Sequence, residues 1–292
     1  MQDLSLLTWN EVKSLDKEKS ILFITVAPIE EHGVCLPLAT DLIEGEQWSQ
    51  GAMNVIEQNS GYNCYYLPSF PVASASVNSF YGCIHFPMHT TYLVVKELLE
   101  SVINMGFLHV VVVASHADPE HQIAVEKAIR KANKKYGECV IAPMGAFFSA
   151  DEIGLKRDVS NEIRKYEKEY SNDFHAGWVE TSCMLAIDEN YVRSGYEELP
   201  ASNITSRDMI SKKKQIKAMG EYGHMGNPAV SDKHIGELLN IDSARYIAEA
   251  TLNFVKRQNY KIFSHYFLYD LLFMHMGFLP GFGRVKRKKV EK

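Results

Sequence analysis

The chain has 292 residues, 46% hydrophobic and 23% charged, with 31 Lys and Arg against 36 Asp and Glu for a formal charge of −5. That is the composition of a soluble globular protein with a large core, and its acidic balance gives no electrostatic reason to expect nucleic acid as a partner. No run approaches the roughly 20 uninterrupted apolar residues that a membrane span needs, so no membrane association is expected; the nearest run, residues 262–279, is broken by His265, Asp270 and His275.

Residues 21–27 form the first apolar run that reads as a buried strand, and a polar loop over 30–41 leads into helical spacing over 42–57. Strand character returns over 62–67, and a helix is expected over 90–105, closed by Gly106. The most hydrophobic strand covers 109–115, followed by a polar corner, a helix over 120–136 ending at Gly137, and a short strand over 139–142. The charged stretch 151–172 reads as an excursion of exposed helix, and 175–187 has helical spacing with a polar start. A basic loop is expected from 212 to 217, a turn cluster over 223–228 and a long helix over 232–258. Strands alternating with helices predict an α/β protein with a largely parallel central sheet, built as one domain over 1–292 with a C-terminal extension from about residue 260. The tail from Arg284 to Lys292, with six basic groups and one acid, reads as a solvated end. The five cysteines, Cys35, Cys64, Cys83, Cys139 and Cys183, are scattered, odd in number and without a C-x-x-C pair. With no N-terminal apolar signal region, they fit a reduced, cytoplasmic setting.

In an open parallel sheet the loops at the carboxyl ends of the strands form the ligand crevice. Two polar corners fall at such ends, Glu30, Glu31, His32 and Asp41 after one strand and His116 and Asp118 after another, and a third candidate is Asp173, His175 and Glu180. Carboxylates and imidazoles without thiolate pairs suit a divalent ion such as Zn, Mn or Fe(II). In extended backbone, residues two apart point the same way, so Glu30 and His32 share a site while Glu31 faces elsewhere. Asp41 is the natural bridge between two ions roughly 3.5–4 Å apart, one on Glu30 and one on His32. The lone histidines His109, His121, His224, His234, His265 and His275 read as structural or surface residues.

These residues resemble the creatininase, or creatinine amidohydrolase, family. "EEHGVCLPLATD" from Glu30 to Asp41 is similar to its first motif, "ASHADP" over 114–119 stands where it has a His corner, and "HAGWVETS" from His175 to Ser182 matches its third motif in full. A "GHMGNP" turn from Gly223 adds a fourth point of likeness. The resemblance implies a three-layer α/β/α sandwich with two divalent metal ions (Zn, Mn or Fe), hydrolysing a cyclic or linear amide C–N bond of a small molecule with a metal-activated water. Carried over by position, Glu30, Asp41 and His116 hold one ion, and His32 and Asp41 hold the other with either Glu180 or Asp118. Asp is a methylene shorter than the Glu found at that position in some members, which favours Glu180, and both stay candidates. His175 is then the proton shuttle, with Glu180 beside it and Cys35, Ser115 and Trp178 on the substrate wall. The family also implies a homo-oligomer, commonly a hexamer. Cys35 in place of the usual His, Glu31 in place of Gln, and "ADP" in place of Gly-Gly-Asn fall on the substrate side and argue against creatinine itself. They also motivate a second reading, a metal- or ligand-binding protein that keeps the fold without turnover.

Overall fold

The computed structural model describes residues 1–75 and 80–279, apart from the side chain of Ile210. The expected basic tail lies outside the described residues. In chain order the elements are β1 (Gln2–Asp3), α1 (Trp9–Ser14), β2 (Ser20–Thr25), α2 (Thr40–Asn59), β3 (Asn63–Tyr66), α3 (Met88–Asn104) and β4 (Val110–Val113). There follow α4 (Pro119–Tyr136), β5 (Val140–Ile141), α5 (Met144–Phe148), α6 (Asn161–Glu169), α7 (Trp178–Ile187), α8 (Lys212–Met219) and α9 (Lys233–Val255).

The five strands form one sheet in the order β1-β3-β2-β4-β5, and every pair is parallel. Parallel strands need crossover helices, which cover both faces, so the central strands carry apolar side chains on both sides. Leu22, Ile24, Val110 and Val112 face one layer, with Val95, Leu99 and Val102 of α3 and Val125 and Ile129 of α4. Ile21, Phe23, Val111 and Val113 face the other, with Trp48, Met53 and Ile56 of α2 and Ile247 and Phe254 of α9. Each large side chain buried this way contributes roughly 1.5–3 kcal/mol. The result is the expected three-layer α/β/α sandwich.

Three expectations need correction. The basic stretch 212–217 is the helix α8 rather than a loop, because Lys, Gln, Ala and Met are good helix formers and the first break is Gly220 at φ 53°. The exposed helix expected over 151–172 is reduced to α6, capped by Ser160 accepting from the Ile163 N–H. His175 precedes α7 and pairs in a bridge with Met225, so the helix starts at Trp178. Beyond α9, Tyr266 is buried against Met88, Ile123 and Ala124, and Lys127 stands 3.4 Å over the Phe278 ring, so residues 266–278 pack against α3 and α4.

Candidate metal centre

β2 and β4 pair side by side, with Thr25 opposite Val113, so the loops after them leave the same edge of the sheet. The first loop turns at Gly33 (φ 67°), is pinned by Glu30 N–H donating to Leu38 O at 2.9 Å, and enters α2 with Asp41 in the first turn. A carboxylate there is favoured by the helix dipole. The second loop brings His116, and Ser115 Oγ donates to Asp41 O at 2.6 Å, tying the two loops together. The third contribution comes from α7. Asp173 accepts from Trp178 N and Asn227 N through Oδ1 and from Val179 N through Oδ2, each at 3.0 Å, which fixes the start of α7 against the 223–228 turn. Ala176, at φ 49°, then turns the chain so that its N–H donates to the Glu180 carboxylate.

These elements converge on Asp41. His116 Nδ1 lies 3.1 Å from Asp41 Oδ2 and 3.4 Å from Glu30 Oε2, while His32 Nε2 lies 3.5 Å from Asp41 Oδ1 and 3.8 Å from Glu180 Oε1. Glu30, Asp41 and His116 form one donor set and His32, Asp41 and Glu180 a second, the atoms of each lying within 4.8 Å of one another. Glu30, His32 and His175 form a third grouping. Asp41 belongs to two of the sets and presents a different oxygen to each histidine. Glu30 Oε2, His32 Nε2 and Asp41 Oδ2 are buried without a hydrogen-bond partner, a condition that costs free energy unless something else engages them. A divalent cation fits that requirement with this O and N donor set. His32 Nδ1 stands 3.1 Å from Glu30 O, so a proton there donates to the carbonyl and leaves the Nε2 lone pair on the donor side.

Charge in this enclosure is concentrated. Burial pushes the Glu30 carboxyl up to about 7 against the pull of His116 and His175. Asp41, although buried, is held well below the usual carboxylate range by His32 and His116. Burial works against a proton on His116, but Glu30 and Asp41 hold it up to about 10.

The structure brings Glu180, and not Asp118, to His32 and Asp41; Asp118 caps α4 by accepting from Glu120 N at 2.8 Å. Glu180 is the most open of these donors, its side chain 21% exposed against 1–8% for His32, Asp41, His116 and Glu30, which places the mouth on its side. The expected substrate wall is largely committed to protein contacts. Ser115 is spent on Asp41, Trp178 is buried with its indole N–H on Tyr170 O and its ring against Tyr166, and Cys35 is buried with its carbonyl accepting from Arg193 N. Two buried acids were not anticipated. Glu44, three residues after Asp41 and on the same face of α2, has its pKa raised by burial and by Glu180. Glu31 is turned from the donor sets yet is not at the surface; it meets His175. The spacing of Glu44 from Asp41 was a signal in the sequence, whereas the contact of Glu31 depends on a residue 144 positions away.

The family profile for creatininase, creatinine amidohydrolase, matches residues 5–251. Among solved structures, a putative creatinine amidohydrolase from Bacteroides fragilis is 19% identical, covers 88% of this chain and 98% of its own, and superposes with a TM-score of 0.64. A creatininase mutant complexed with creatine gives 16%, 87%, 98% and 0.65, and a structure described as creatininase Mn gives 17%, 85%, 96% and 0.66. At such identities the likeness is one of fold. A search of curated proteins finds no match.

Proposed function

The chain belongs to the creatininase family, and from that premise we propose that it is a metal-dependent amidohydrolase cleaving a cyclic or linear amide C–N bond of a small molecule. One observation carries the reading: Asp41 faces two donor sets with its two oxygens, Glu30 and His116 on one side and His32 and Glu180 on the other. Those five residues would hold two divalent ions, Zn, Mn or Fe. Ions bound there would polarise the scissile carbonyl and lower the pKa of a water enough for attack at neutral pH.

The remaining roles belong to the chain. His175 is assigned the transfer of a proton to the leaving nitrogen, a role supported by its burial and by its ring standing 4.5 Å from that of His32. Glu180, at the open side, would hold an ion together with His32 while accepting the Ala176 N–H, so it also fixes the turn that carries His175. Asp118 stays the alternative ligand, with its Oδ1 engaged in the cap on α4. Cys35 and the 117–119 corner argue for a substrate other than creatinine. A homo-oligomer, a hexamer as is common in the family, is supported by exposed Leu272, Phe273 and Leu279. No helix among the described residues is long and apolar enough to cross a membrane, and a cytoplasmic setting is proposed from the unpaired cysteines.

The test is metal analysis of protein purified without chelator, with a hydrolysis panel of lactams, formamides and modified peptides. Two equivalents of a divalent ion per chain and turnover of at least one panel member are expected, both abolished by Asp41→Asn. Failure to retain any divalent ion at saturating concentration would remove the reading.

A further inference from the structure

A cavity of about 380 Å³ lies between α4, the start of α5 and the segment 260–266, and none of its lining residues belongs to the donor sets around Asp41. Its size falls among small-molecule sites, which begin at roughly 300 Å³. α4 lines it with one face, Gln122, Glu126, Arg130 and Lys134, each four residues after the last. The opposite wall, with Lys261 and Ser264, comes from beyond residue 251, where the family match ends.

Gln122 is 2% exposed, and its neighbours orient its amide. Nε2 donates to Ala114 O at 2.8 Å and to His116 O at 2.5 Å, two carbonyls that the NH2 end alone can satisfy. Oε1 is therefore turned to Gly145, which also lines the cavity and where a Cβ would stand 3.3 Å from it. That oxygen accepts no hydrogen bond among the described residues, and a buried acceptor in this state calls for a donor. One turn on, Glu126 is 6% exposed. Its Oε1 accepts from Arg130 Nε at 2.8 Å and its Oε2 from Tyr266 N at 2.9 Å, which leaves Oε2 the capacity for a second donor. Residues at i and i+4 of a helix hold their Cβ atoms about 5–6 Å apart, so one primary amine can donate to both acceptors.

The remaining charges have the opposite sign. Lys134 and Lys261 line the cavity, and neither has an ion pair or hydrogen bond among the described residues. Glu138 lines it too and takes Asn133 Nδ2 at 3.4 Å. With Arg130 matched to Glu126, two ammonium groups stand against one carboxylate, which suits an added anion. Lys134 lies about 12 Å along the helix from Glu126, a separation shortened because helical side chains lean towards the N-terminus.

We propose that this cavity is a second binding site, for a short linear zwitterion with its primary amine at Gln122 and Glu126 and its carboxylate at Lys134 and Lys261. The two ends of such a ligand are about 7–10 Å apart. An extended tripeptide, at about 3.3–3.6 Å per residue, has that length, whereas a free α-amino acid is too short. Occupancy of this cavity does not depend on turnover at the metal centre.

The experiment is an NMR titration of the 15N-labelled full chain with triglycine, N-acetyl-triglycine and triglycine amide, the second lacking the amine and the third the carboxylate. The Gln122 side-chain amide is assigned by its loss in Gln122→Met. Triglycine is expected to shift that resonance and the Gly145 N–H saturably, with a Kd of about 1 mM. Both capped peptides should bind at least about 10-fold more weakly, and so should triglycine to a Lys134→Glu, Lys261→Glu double variant, whose changes are on exposed side chains. No saturable shift at concentrations about 20-fold above that Kd, equal affinity for a capped peptide, shifts confined to the loops around Asp41, or unchanged affinity in the double variant overturns the proposal.

Discussion

Asp41 concentrates the argument at the scale of single residues, because no neighbour duplicates its two-sided geometry. Asn keeps one carbonyl oxygen and replaces the other with a donor, so Asp41→Asn is expected to weaken divalent-ion binding more than about 100-fold, as titration calorimetry will read. His121 gives a second prediction. It is fully buried, its Nε2 lies 3.2 Å from Val26 O, and burial, helped by His116, pulls its pKa down to about 3. Its unfolded value is near 6.5, so the fold favours the neutral ring. The stability this represents is fully present above pH 6.5 and is lost as pH falls towards 3, at about 1.4 kcal/mol per pH unit. Urea unfolding of metal-free protein at pH 7 and pH 5 should therefore show a larger loss for the wild type than for His121→Leu, by about 2 kcal/mol; equal losses would assign the acid sensitivity to other groups. The donors Glu30, His32, Asp41 and His116 were readable because strand alternation and strand-end placement are local rules. The partners of Glu31 and Glu44 were not, since each contact needs α2, α7 and the first loop to converge.

Among the elements, the start of α7 depends on Asp173, whose carboxylate receives three backbone N–H groups. Removing it leaves those donors in a space already so close that a Cβ on Gly177 or Gly226 would fall 1.8 or 2.0 Å from Asp173 Oδ1. Each buried donor left unsatisfied costs about 1–3 kcal/mol, and relaxation spares part of the sum. Asp173→Ala should destabilise by about 3–5 kcal/mol in denaturant unfolding, with Asp173→Asn recovering some of it. Where α7 crosses α9, a Cβ on Gly236 would lie 1.8 Å from Ser182 O. The two helices can approach this closely only over glycine, so Gly236→Ala is expected to cost about 2–3 kcal/mol or more and to move Glu180 with α7; an unchanged melting temperature would show that the crossing yields freely. The central strands and α2, α3, α4 and α9 were legible because a sheet buried on both faces demands unbroken apolar runs and long helices declare their period. α8 was misread because its four lysines suggested a loop, and β1, with two residues, carries too little pattern to register.

Across the whole molecule, function and stability pull against each other at the edge of the sheet. Glu30, Glu31, Asp41, Glu44 and Glu180 gather around His32, His116 and His175, all but Glu180 buried. Five carboxylates against three imidazoles is a poor arrangement for folding alone, since buried charge is costly unless matched. Sites shaped for chemistry commonly carry such a cost. A cation that binds the folded chain returns stability by mass action, about 4 kcal/mol when its free concentration is 1,000 times its Kd. In a chain of 292 residues this corresponds to a rise in Tm of roughly 5–15 °C. Melting curves of metal-stripped protein, with and without Zn or Mn, should show that rise for the wild type. Asp41→Asn separates the causes: it removes a buried negative charge, so its metal-free form should melt no more than a few degrees below the wild type, and its metal-dependent increment should vanish. If the variant gains as much from the ion as the wild type does, the stabilising cation sits elsewhere on the surface, and the carboxylates around Asp41 must be matched by protons and not by metal.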